Sequence, residues 1–203
     1  PKDDLEYQIW IRNFLYSIAI GTLFIMMCFY LLIWRGRRVM QESFYFAGIC
    51  FSLMAVLLGT NLFIDKLFTG SDVFQIKVKV ILLSFCLAWF FLVNFFHELY
   101  PVEFSGKVTK LFSAVAIITS CPVVILKGHI TMRALFFFDT MAVVVLLWLI
   151  SGLILAIIKG RKGAITIALV FPLLLGAVIN DILYSRALIE TMFLAPIAII
   201  LLI

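Results

Sequence analysis

Charge is scarce in this sequence. Of 203 residues only 13% are Asp, Glu, Lys or Arg, while 65% are hydrophobic. A water-soluble domain carries roughly twice that share of charge to cover its surface, so a soluble globular fold is excluded and lipid is the natural solvent. Histidine is nearly missing. His97 and His129 lie in or near connections, and no His-x-x-x-His or His-Glu-x-x-His helix is present to hold zinc. Cys28, Cys50, Cys86 and Cys121 are far apart within apolar stretches. That spacing gives neither a metal site nor a disulfide framework, and it reads as buried structural thiols. No Gly-x-Ser-x-Gly, Ser/His/Asp set or phosphate-binding glycine loop stands out. No catalytic residue, cofactor or metal is therefore expected within this chain. There is also no contiguous basic stripe, so the net charge of +5 suits anionic lipid headgroups rather than nucleic acid.

What the chain has instead is length of apolar sequence. A helix needs about 20 mainly apolar residues to cross the hydrocarbon core. Phe14–Trp34, Phe44–Ile64, Val78–Phe96, Leu111–Leu126, Leu135–Ile158 and Ala164–Leu183 fit that length or come near it. A further stretch begins at Thr191 and is still apolar at Ile203; it predicts a seventh helix cut short, as Pro1 in place of Met predicts an excised piece. The runs are continuous rather than alternating, which favours helices over a membrane barrel. The expected fold is therefore all-α, a polytopic bundle of seven transmembrane helices. Leu111–Leu126 is the shortest span, with Lys110 and Lys127 placed at its ends to reach the two interfaces.

Connections set the orientation. Trp34-Arg35-Gly36-Arg37-Arg38 follows the first span and Lys159-Gly160-Arg161-Lys162 the fifth. Both are tight basic turns, and basic turns face the cytoplasm. The third connection on that side, His97 to Lys110, is nearly charge-balanced and adds little. This places the N-terminus outside and the C-terminus inside. Residues 1–13 read as a juxtamembrane linker, polar and then amphipathic, with Tyr7 and Trp10 at headgroup level; residues 14–203 are the membrane module.

Ionisable groups at membrane depth are expensive, so each is a functional candidate. Asp139 lies near the start of the fifth span, six residues after Arg133, beyond ideal pairing along one helix. Both could equally be wetted at the outer interface. Asn180-Asp181 closes the sixth span, followed by Ile182-Leu183-Tyr184-Ser185-Arg186. Asp181 is either a helix-end carboxylate partnered by Arg186 or water, or part of a polar knot locking helices six and seven. Asn61 and Asn94 are placed to hydrogen-bond between helices. The aromatic runs Trp89-Phe90-Phe91 and Phe136-Phe137-Phe138 read as packing bulk.

Two stretches carry a family resemblance. The first basic turn leads into Glu42-Ser43-Phe44-Tyr45-Phe46-Ala47, and Ile179-Asn180-Asp181-Ile182-Leu183-Tyr184 precedes a short turn and an apolar helix. From about Ile11 onward the chain resembles the membrane module of bacterial seven-transmembrane receptors with diverse intracellular signalling modules. The resemblance implies a sensor in the bacterial inner membrane. It implies an external ligand or a fused external sensor domain, and a fused cytoplasmic output domain such as a cyclase, diguanylate cyclase, kinase or phosphatase. The expected signal-coupling residues are Asn180, Asp181 and Tyr184, with Asp139 and Arg133 as further candidates. Two alternatives stay open: a transporter using Asp139 and Asp181 in an ion path, and a passive anchor. A homodimer is compatible with any of them.

Overall fold

The computed structural model describes residues 2–37, 40–60, 73–125 and 135–185. All regular structure among these residues is helical, in six helices: α1 (Lys2–Gly36), α2 (Gln41–Thr60), α3 (Val73–Leu99), α4 (Gly106–Ile125), α5 (Leu135–Ile158) and α6 (Ala164–Ser185). Five of these helices, α1 to α5, hold a stretch long and apolar enough to cross a membrane. Over its described residues each of the six expected spans falls on one helix; residues 61–64 of the second, Leu126 of the fourth and the stretch from Thr191 lie outside the described residues.

The starts of α1 and α4 differ from expectation. Helix α1 begins at Lys2 rather than Phe14 and runs 35 residues without a break. The polar segment before the apolar run thus continues the helix, and its apolar span is Asn13–Gly36. Helix α4 starts at Gly106, so it is 20 residues long and spans without help. Lys110, expected at its end, stands exposed in its second turn; Lys127 lies outside the described residues. The cysteines also divide: Cys50 and Cys86 are buried, Cys28 is half-buried and Cys121 is exposed.

Neighbouring helices run antiparallel. Tyr30 and Trp34 of α1 meet Phe46 and Phe44 of α2, with ring centroids 4.4 Å and 5.1 Å apart. Along the α2–α3 seam a Cβ at Gly48 would overlap the Phe91 ring, and one at Gly59 would lie 2.8 Å from Ile81. Missing side chains here let the helix backbones approach, as small residues do in membranes. The α3–α4 seam is pinned by Asn94 Nδ2, which donates to Ser113 Oγ at 2.9 Å, by Cys86 against Thr119 at 3.7 Å, and by Lys79. Lys79 Nζ donates to the Val124 carbonyl at 2.8 Å. That carbonyl is in the last described turn of α4, where a cation is favourable. Asn94 thus makes the interhelical bond expected of it; Asn61 lies outside the described residues.

Helix α3 is the hub, packed against α2, α4 and α5, while α6 packs on α5. One core cluster joins α1, α2 and α3 around Leu23, Cys50 and Leu57. Another joins the end of α3, the α3–α4 turn, α5 and the start of α6 around Phe104, Leu149 and Ala156. Large apolar side chains face outward along the helices, Ile25 at 68%, Ile118 at 67% and Leu169 at 74% exposure among them. Such a surface is stable only against lipid, so this is a multi-pass membrane protein.

Candidate functional site

The α1–α2, α3–α4 and α5–α6 turns share one end of the bundle, the end that carries the basic turns. There the two later turns are joined across the fold. The α3–α4 turn begins where α3 stops at Tyr100-Pro101: proline cannot extend the helix, and its fixed φ suits the second position of a tight turn. Glu103 N–H donates to the Tyr100 carbonyl at 3.2 Å, closing that turn. His97 Nδ1–H donates to the Phe104 carbonyl at 2.7 Å, which ties the turn back to the last helical turn of α3.

Two side chains leave this turn toward α5. Phe104 is fully buried. Its ring meets Trp148 edge-on at 4.9 Å and Phe96 at 5.5 Å, and it lies where a Cβ on Gly152 would stand. Gly152 is therefore the socket for an aromatic plug. Glu103 reaches the α5–α6 turn. Its Oε1 accepts from Arg161 Nε at 2.9 Å and lies 3.5 Å from Lys159 Nζ. The Glu103 side chain is wholly covered, at 0% exposure, whereas those of Lys159 and Arg161 remain 46% and 43% exposed.

The α5–α6 turn is shaped to present these two cations. Gly160 has φ +64°, a left-handed conformation that glycine adopts without penalty. Its N–H donates to the Ile157 carbonyl at 2.9 Å, and Arg161 N–H donates to Ala156 at 3.0 Å. This nested pair is a Schellman closure of α5, and it sets Lys159 and Arg161 on either side of Gly160. Gly163, at φ +77°, completes the reversal into α6.

Burial would raise the Glu103 carboxyl. The Arg161 hydrogen bond, a bond from its own backbone, and the charges of Arg161 and Lys159 outweigh it and hold the carboxyl below its ordinary value of 4.5. The Tyr100 hydroxyl is pushed up, by burial first and by the Glu103 charge second. The Tyr100 hydroxyl and Glu103 Oε2 are buried with no hydrogen-bond partner among the described residues. An anion half-satisfied in this way is a point of stored polarity, since a buried polar group without a partner is costly. Chemically the arrangement is a latch: one covered carboxylate holding two half-exposed cations of another turn.

The residues singled out from sequence lie elsewhere. Asp139 is the fifth residue of α5, and Asp181 stands four residues before α6 ends at Ser185. Because α5 and α6 are antiparallel, both are at the end of the bundle opposite the latch. The 20 residues from Asp139 to Lys159 make about 30 Å of helix, a membrane thickness. Asn180 is half-buried and has an interaction partner. The side chains of Asp139, Asp181 and Tyr184, and all of Arg133, lie outside the described residues. Among the described residues no three His, Cys, Asp or Glu side chains gather where a metal could bind.

A family model described as 7TM diverse intracellular signalling matches residues 12–203. The chain belongs to that family. The match takes in α1 from Arg12 onward, the whole of α2 to α6, and the apolar stretch from Thr191. No curated protein and no solved structure matches the chain. Membership makes this a membrane module of the sensory type and not itself a catalytic domain. Sequence reasoning missed Glu103, Phe104 and Gly152. The signal available was a carboxylate in one short turn facing two cations in another turn at the same end. A nearly neutral turn concealed it, because only the sum of its charges was weighed.

Proposed function

We propose that this module passes an extracytoplasmic stimulus to a cytoplasmic output domain, the end with the basic turns facing the cytoplasm. The observation that carries this reading is the joining of the α3–α4 and α5–α6 turns through Glu103, within a chain of the 7TM diverse intracellular signalling family. Signalling requires two packings of the bundle separated by a few kcal/mol, with the stimulus binding one better than the other. An apolar seam between helices changes little when it slides. A carboxylate covered by its cations favours one register, because sliding away gives up their charge-assisted hydrogen bond. The latch therefore makes the cytoplasmic ends of α3 to α6 bistable, joined or released, and gives the output domain a discrete state to read.

At the opposite end, Asn180, Asp181 and Tyr184 are proposed to couple the outer turn to the helix that follows, with Asp139 and Arg133 as further candidates. Replacing Asp181→Asn should change signalling output while membrane abundance stays normal; unchanged output at normal abundance removes that role. The module as a whole is tested in its parent protein by exchanging residues 12–203 for an unrelated membrane anchor that keeps the flanking domains on their own sides. The stimulus response should disappear while basal output persists. A retained response would reduce the segment to an anchor.

A further inference from the structure

The end of α1 and the start of α2 flank an open cavity of about 620 Å³ lined by Trp34, Arg35, Gln41, Phe44 and Tyr45. That volume is in the range of small-molecule sites, roughly 300–1,000 Å³, and the cavity takes no part in the latch. We infer that it is a phospholipid headgroup site, with the lipid phosphate on Arg35.

Its depth is the first reason. Leu31 and Leu32 of α1 are exposed to the lipid side, and Arg35 and Arg37 follow within a turn, also exposed. The cavity thus opens where apolar surface gives way to cations, which is the headgroup level. Its chemistry is the second. Arg35 offers a planar fork of N–H donors that matches phosphate oxygens, and neither Arg35 nor Arg37 has an ion-pair partner among the described residues. Gln41 adds a neutral donor to the lining. Trp34 and Phe44, rings 5.1 Å apart and each 37% exposed, give the glycerol and first methylenes an apolar wall.

A route for the acyl chains is the third. Phe51 is exposed seven residues after Phe44 on the same face of α2, two turns deeper toward the membrane centre. A soluble phosphate ester could use Arg35 but would leave that aromatic track unfilled. The cation, the aromatic wall and the deeper track together call for a molecule that is both charged and fatty.

The test is retention of lipid by the detergent-solubilised chain. After exchange into lipid-free detergent, native mass spectrometry should find one phospholipid bound, with at least tenfold less on Arg35→Gln. Lys107→Gln removes an exposed cation from α4 at the same end and should keep the lipid. Thermal melts of each variant report folding, which replacement of an exposed arginine should preserve. As a second reading on the folded wild type, millimolar glycerol 3-phosphate should fail to displace the lipid. Equal retention by wild type and Arg35→Gln, or equal loss in Lys107→Gln, would overturn the assignment. Displacement by glycerol 3-phosphate would also overturn it and turn the cavity into a site for soluble phosphate esters.

Discussion

A carboxylate covered by protein is unfavourable unless cations meet it, and Glu103 is met by two. Its carboxyl titrates below 4.5 in the fold, so the native state binds that proton less readily than the unfolded chain does. The stabilisation is therefore present above the ordinary value and is lost as pH falls through the depressed one. Replacing Glu103→Gln should lower the melting temperature in detergent micelles at neutral pH. The gap to wild type should stay constant from about pH 8 down to about pH 5 and close only in stronger acid. Melts followed by tryptophan fluorescence across that range would check it; a gap changing near neutral pH would contradict it. Gly152 makes a steric prediction beside this electrostatic one. A methyl there meets the Phe104 ring, so Gly152→Ala should destabilise by about 1–3 kcal/mol, the usual range for overpacking. The smaller Phe104→Leu in the same chain should recover part of that loss, measured by the same melts.

Helices here are decided largely by local sequence, and their ends by a few residues. Pro101 stops α3, while Gly160 and Gly163 turn α5 into α6 at positive φ. A left-handed conformation costs a residue with Cβ about 1–2 kcal/mol. Gly160→Ala should cost that much in a melt and loosen the Arg161–Glu103 contact, whereas Gly160→Asn, better tolerated at this position, should cost less. The two basic turns were legible because arginine, lysine and glycine crowd them between apolar runs. The start of α1 was not: polar residues 2–12 resemble a linker in composition, yet nothing in them breaks a helix already nucleated by the span. Helix α4 was read too short for a related reason. Thr109 and Lys110 interrupt its apolar run without interrupting its backbone, and the Thr109 hydroxyl simply donates back to Ser105 at 3.1 Å.

Across the described helices, α3 packs against three others while α1 presents most of its apolar length outward. Cysteine chemistry reports this arrangement directly. In lipid nanodiscs a membrane-permeant maleimide should label exposed Cys121 well before buried Cys50 and Cys86, as mass spectrometry of timed digests would read. Equal rates for all three would contradict the packing around α3. Composition alone determined the solvent of this protein, the helical form of its spans and which turns carry the positive charge, because each of these follows from transfer of single residues or backbone groups into lipid. The helix faces that pack, the pairing of Asn94 with Ser113 and the docking of Glu103 on a turn 58 residues away were decided only by tertiary structure. In water a packed face is marked by being apolar. In lipid both faces of a helix are apolar, so the pattern that would tell a buried side from an exposed one is weak, and contacts distant in sequence leave no periodic trace.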